Sequence, residues 1–302
     1  MSKIGAWVNA ARLRTLPLSI SGILVGTGLA AFYGTQNSLI FVLALLTTVG
    51  FQVTSNFAND YGDGIKGTDN EERIGPARAL QSGLLSPKAL KRGIFISIGI
   101  TMIFVLFLLF AAFGIEGVGY ILIFLLLAIL SIWAAIKYTM GNTPYGYRGF
   151  GDLSVFVFFG MVGVLGAMFL YIKTIPLLSV LPALSIGLLS VGVLNLNNLR
   201  DFKSDKQSGK NTMVVKLGFE KGKIYHYLLL SASFLFLVIF ILLTKDNWIQ
   251  FVSLLAYVPI VVHLLKVKSI QSPLFLDPEL KKLALSTFLM ALLFYFSYNY
   301  FL

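Results

Sequence analysis

Five aspartates fall in two short stretches of an otherwise apolar chain: NDYGDGIKGTD at 59–69 and NLRDFKSDKQSGK at 198–210. Asn56, Asn59, Asp60 and Asp63 stand at helical spacings of three and four, so on a helix they project from one face, and Asn198, Asp201 and Asp205 do the same. Carboxylates this close repel one another unless a cation or a donor balances them. The chain has no cysteine, and its two histidines, His226 and His263, stand elsewhere and read as packing or interfacial residues. Soft metals therefore lack a ligand set. Oxygen ligands select a hard ion, and Mg2+ binds through one or two carboxylates while substrate phosphates complete its shell. Lys66, Arg73 and Arg78 follow the first acid cluster, and Lys206 and Lys210 follow the second. Acids for a metal beside bases for phosphate describe a diphosphate site.

A third stretch, KYTMGNTPYGYRGFGD (137–152), is rich in glycine, tyrosine and proline, and reads as a shaped loop rather than a linker. It offers Lys137, Tyr138, Tyr145 and Arg148 as further substrate contacts, with Lys137 and Arg148 candidates for an acceptor's carboxylate. The bland alternatives are that Lys137 snorkels at a helix end and that Arg148 pairs with Asp152. DYGDG also looks like the opening of the CDP-alcohol phosphotransferase signature, DxxDGxxAR followed by GxxxDxxxD. Gly67 and Thr68 stand where that signature needs Ala and Arg, and the second aspartate pair lies about 140 residues away. The spacing rules it out.

The elements that must position these residues are membrane helices. The 302-residue chain is 57% hydrophobic and 12% charged, and its apolar runs reach the roughly 20 residues a spanning helix needs. No alternating strands of a barrel are visible. Breaks at charged or Gly/Pro-rich points give nine spans, at 16–33, 38–58, 92–113, 118–137, 153–171, 176–198, 222–243, 248–266 and 282–301. Residues before the first span read as an interfacial helix rather than a cleavable signal. Of the 24 Lys and Arg, only Lys173 and Lys245 fall outside alternate connections on one side. The positive-inside rule then puts the N-terminus and the acid-bearing loops in the cytoplasm and the C-terminus outside. The net charge of +11 follows the membrane side and does not indicate nucleic acid. Ser86-Pro87 predicts the start of span 3, and Thr212 to Gly218 a short capped helix.

Nine spans with Asp-rich motifs after the second and sixth resemble the UbiA superfamily of intramembrane aromatic prenyltransferases, over essentially the whole chain. Three stretches, NDYGDGIKGTDNEERIGPARALQSGLLSP, YTMGNTPYGYRGFGD and NNLRDFKSDKQSGKNTMVVKLG, are similar to the branch that acts on 1,4-dihydroxy-2-naphthoate in menaquinone synthesis. In the broad superfamily a third aspartate follows each second one by four residues. Here Gly67 and Gly209 hold those places, with Asp69 two residues beyond the first, as in the naphthoate branch. The resemblance implies an all-α integral membrane bundle, one domain over 1–302, in the bacterial cytoplasmic (inner) membrane. It implies a polyprenyl diphosphate donor, activated by Mg2+ on Asp60, Asp63, Asp201 and Asp205, with Lys66, Arg78, Lys206 and Lys210 neutralising the diphosphate. The product would be demethylmenaquinol, with loss of CO2. Another aromatic acceptor, 4-hydroxybenzoate or homogentisate, is the nearest alternative. An ion-coupled transporter is the alternative from a different class, and it expects its acids near the bilayer midplane.

Overall fold

The computed structural model describes residues 3–68, 74–244 and 247–299, and these are helical with no strand. Nine helices among the described residues are long and apolar enough to cross a membrane, making this a multi-pass membrane protein. They are span 1 (Ile4–Phe32), span 2 (Ser38–Ile65), span 3 (Pro87–Phe113), span 4 (Val118–Lys137), span 5 (Gly151–Ile172), span 6 (Leu177–Arg200), span 7 (Phe219–Thr244), span 8 (Trp248–Ser269) and span 9 (Pro273–Asn299).

Local chemistry explains the boundaries. Asn37 caps span 2 by accepting from the N–H groups of Leu39 and Ile40, and Ser86 caps span 3 by accepting from Ala89, with Pro87 at the first helical position. Span 2 runs seven residues beyond the end expected from hydropathy. Polar residues alone do not stop a helix, and this one ends only where Gly67 adopts φ +69°. Arg12, at φ 50°, separates the expected N-terminal helix Lys3–Ala11 from the rest of span 1. Span 5 was expected as an ordinary helix, yet Phe156–Gly166 winds as a π-helix.

Spans 2, 3 and 4 pack together, span 6 packs on spans 5, 7 and 9, and span 1 joins the two groups through spans 2, 5 and 9. Gly160 of span 5 meets Gly187 of span 6 so closely that a Cβ would lie 2.7 Å from the Gly187 Cα. Glycine is what lets those backbones touch. Leu189, Phe240 and Phe294 are fully buried in the main core, whereas Phe95, Ile103, Leu122 and Trp133 of spans 3 and 4 are exposed, as lipid-facing residues are. A smaller core of Ala6, Ala10, Phe57, Leu90 and Trp7 fastens the N-terminal helix beneath spans 2 and 3. His226 and His263 act in packing, as expected: their Nε2 atoms lie 2.9 Å apart, and Glu279 holds His263 Nδ1 at 2.8 Å, tying spans 7, 8 and 9.

Candidate functional site

Both acid stretches end in the same helix cap. At the end of span 2, Thr68 N–H donates to the Asp63 carbonyl at 3.0 Å and Gly67 N–H to the Gly64 carbonyl at 3.3 Å. After the short helix Phe202–Gln207, Lys210 N–H donates to the Asp205 carbonyl at 2.8 Å and Gly209 N–H to the Lys206 carbonyl at 3.3 Å. Each is a Schellman motif whose left-handed position, Gly67 at φ +69° or Gly209 at φ +72°, suits glycine. An aspartate in the superfamily's usual third place would pay for a positive φ. The cap turns the chain back on itself. Thr68 thereby joins Asp63, and Lys210 joins Asp205, along one cleft completed by Arg78, Asn197, Asp201 and Ser204.

The acids do not contribute equally. Asp63, Asp201 and Asp205 line the cleft. Asp60 does not, contrary to its expected pairing with Asp63. It is fully buried and accepts the N–H groups of Ala79 at 3.2 Å and Leu80 at 3.5 Å, fixing the turn that carries Arg78. Asn56 also points away from the cleft, donating to the Ala11 carbonyl at 2.8 Å and to Thr15 Oγ1 at 3.1 Å. Asn59 accepts from Thr139 Oγ1 at 3.4 Å. One helix face cannot aim all four residues at one point. In the second stretch Asn197 lines the cleft and Asn198 does not.

The bases divide likewise. Lys210 is 3.7 Å from Asp205 and only 12% exposed. Burial disfavours its charge, but Asp63 and Asp205 outweigh that and raise its pKa. Lys206 is exposed and stands outside the cleft. Lys66 donates to the carbonyls of Thr139 at 2.6 Å and Gly141 at 2.7 Å, so it fastens the third loop instead of lining the cleft. Arg73 and Asp69 lie outside the described residues.

Lys137 and Arg148 were expected at the acceptor. Both are exposed and neither lines the cleft: Lys137 Nζ approaches Gly141, and Asp152, the suggested mate of Arg148, instead accepts from Tyr225 at 3.3 Å. Tyr145 donates to the Ala134 carbonyl at 2.9 Å, and Tyr138 packs edge-on against its ring.

Sequence reading missed Tyr147. Its hydroxyl donates to Asp63 Oδ1 at 2.7 Å and takes a hydrogen bond from Thr68, while Lys66 and Lys210 sit 5.0 and 5.4 Å from its ring centre. Burial, reinforced by Asp63, raises its pKa, so the proton stays. Through Tyr147, whose carbonyl accepts from Asn211 N–H at 2.9 Å, the third loop joins both acid stretches. Gly62 makes room for this, since a Cβ there would collide with Thr139. The repeated D-x3-G was the available signal for the paired caps. No comparable pattern pointed to Tyr147.

The donor set fits a hard cation. Carboxylates of Asp63, Asp201 and Asp205 supply oxygens only, and Arg78 and Lys210 add positive charge for an anion. Among the described residues, no three His, Cys, Asp or Glu side chains converge into a complete metal cage.

The profile of the UbiA prenyltransferase family matches residues 19–273, across both acid stretches and the third loop. The chain belongs to the UbiA prenyltransferase family. Among curated family members it is 43% identical to a protein of Haemophilus influenzae and 40% to one of Escherichia coli, both named 1,4-dihydroxy-2-naphthoate octaprenyltransferase. Each alignment covers 97% of this chain and 95% of the relative. A UbiA homolog from Archaeoglobus fulgidus, solved with GPP and Mg2+, shares the fold at a TM-score of 0.70 and 14% identity, covering 97% of this chain and 99% of that one. The apo UbiA homolog from Aeropyrum pernix has a TM-score of 0.71 at 15% identity, covering 92% and 96%.

Proposed function

We propose that this protein transfers a polyprenyl chain from its diphosphate to 1,4-dihydroxy-2-naphthoate, releasing diphosphate and CO2 and giving demethylmenaquinol. The observation that carries the reading is the cleft in which Asp63 of the first stretch meets Asp201 and Asp205 of the second beside Arg78 and Lys210. The near full-length relatives named for the naphthoate substrate support the acceptor.

Asp63, Asp201 and Asp205 would hold Mg2+, which supplies charge stabilisation for the departing diphosphate. Lys210 and Arg78 neutralise diphosphate oxygens, and Lys210 keeps its proton because Asp63 and Asp205 outweigh the cost of its burial. Tyr147 holds Asp63 in register and joins the third loop to the cleft. The apolar bundle keeps water from the allylic cation while the electron-rich ring attacks it. Acids at helix ends beside bases favour this reading over an ion-coupled transporter, whose sites lie near mid-membrane. We assign the chain to the bacterial inner membrane as one domain, with the cleft facing the cytoplasm and the C-terminus outside.

Incubating the purified protein with Mg2+, 1,4-dihydroxy-2-naphthoate and a ladder of prenyl diphosphates tests the proposal. A prenylated, decarboxylated product with equimolar diphosphate is expected. Exclusive turnover of 4-hydroxybenzoate would reject the acceptor, and no diphosphate release with any acceptor would reject transfer.

A further inference from the structure

Arg200 precedes the first aspartate of the second stretch and is 3% exposed. A buried guanidinium is costly unless its donors are engaged, and here they are engaged on three partners. Nε donates to Asp201 Oδ1 at 2.8 Å and Nη2 to Asp201 Oδ2 at 2.7 Å, forming a two-pronged pair. Nη2 also donates to Asn197 Oδ1 at 2.8 Å. Nη1 reaches Asp277, in the first turns of span 9, at 2.6 Å. Thus one side chain touches two of the residues that line the cleft and is braced from a span that contributes none of the lining.

We propose that Arg200 is a positioning residue, fixing the orientations of Asp201 and Asn197 toward a hard cation and its diphosphate, and that Asp277 controls how firmly it does so. The inference rests on Asp201 as a ligand of that cation. A carboxylate held at both oxygens has its rotamer set before metal arrives. With its Oδ1 taken by Arg200, Asn197 has its Nδ2 donors left for a ligand oxygen. Asp277 shares the guanidinium's charge. Without that acid, the full positive charge of Arg200 would fall on Asp201 and oppose a cation there.

Mn2+ binding to the full-length protein in detergent, followed by the EPR signal of the free ion, tests this without requiring turnover. Arg200→Lys keeps the charge but loses the planar fork, and should weaken Mn2+ binding about tenfold or more, the usual cost of losing a group that orients a metal ligand. Asp277→Asn should weaken it by a smaller factor. An arginine that merely fastened span 6 to span 9 would lower the thermal midpoint and leave the Mn2+ affinity of the folded protein unchanged. Wild-type Mn2+ affinity in folded Arg200→Lys would therefore overturn the proposal. If Arg200→Lys does not fold, Asp277→Asn decides alone, since Asp277 is 43% exposed and its loss is tolerable. Asp201→Ala separates the two layers: unchanged Mn2+ binding there removes the ligand assignment and this inference together, whereas lost binding there with unaffected Arg200 and Asp277 variants rejects the inference alone.

Discussion

The two acid stretches end alike but begin differently. Span 2 is a single helix through Asp60 and Asp63, and the two side chains diverge, Asp60 to the 79–80 turn and Asp63 to the cleft. Span 6 stops at Arg200, where Asp201 takes φ −90° and ψ 11°, and a new helix starts at Phe202. That break lets Asp201 and Asp205 reach the same cleft. Counted back from the shared cap, the position of Arg200 corresponds to Ala58 in the first stretch. At that position the second stretch carries a guanidinium paired with its own aspartate, and the first carries an alanine. A repeated motif fixes where the chain turns; the backbone upstream decides how many acids arrive.

The largest effect should separate Asp63 from Asp60. Removing a group that stabilises developing charge costs about 10²–10³-fold in rate, and we expect losses of that order in prenyl transfer for Asp63→Ala and Asp201→Ala. Asp60→Asn should act chiefly on stability, by about 1–3 kcal/mol, the usual cost of disturbing a buried hydrogen-bonded group. Its folded fraction should keep more activity than Asp63→Asn. Thermal unfolding alongside initial rates checks this, and equal rate losses with unchanged stability would make the two aspartates equivalent after all.

Tyr147→Phe comes next. It removes a hydroxyl donated to the Asp63 carboxylate and leaves the ring between Lys66 and Lys210. Hydrogen bonds to charged groups contribute about 1.5–3 kcal/mol, so kcat/KM should fall about tenfold or more while the protein remains folded. An unchanged kcat/KM would reduce the third loop to a passive cover.

The shared cap can be tested through stability alone. A Cβ at Gly67 or Gly209 meets nothing within 4 Å, so only the positive φ opposes a side chain there. Gly67→Ala and Gly209→Ala should each cost about 1–2 kcal/mol, read as similar drops in thermal midpoint. A drop at one position only would mean that the caps differ in weight.

Much of this was legible in the sequence. Nine apolar runs gave the spans, and Ser86-Pro87, Thr212 and Gly218 behaved as helix punctuation. Asp63, Asp201, Asp205, Arg78 and Lys210, singled out by residue type and loop, line one cleft. Helical spacing is not common direction. Asp60 and Asn56 share the register of Asp63 only loosely, and each found a partner supplied by a distant segment, Ala79 or Ala11. Asn197 and Asn198 differ by one position on the same helix, and only Asn197 lines the cleft. The brace of Arg200 and the partner of Tyr147 stand 77 and 84 residues away, in Asp277 and Asp63. Periodicity carries no information at that range.

The smallest expected effect is in pH dependence, and it contrasts the lysines of the two halves. Burial lowers the pKa of Lys66, which Asp63 only partly offsets. Lys210 is raised, because Asp63 and Asp205 outweigh its burial. As pH rises, Lys66 therefore loses its proton before Lys210 does, and its bonds to the Thr139 and Gly141 carbonyls weaken. Arginine remains protonated throughout. Lys66→Arg should accordingly shift the alkaline limb of the prenyl-transfer profile to higher pH, whereas Lys210→Arg should leave that limb where it is. Rates measured across the alkaline range for the two variants decide it: a limb that moves with Lys210 and not with Lys66 would reverse the assignment of the more acidic lysine to the first half.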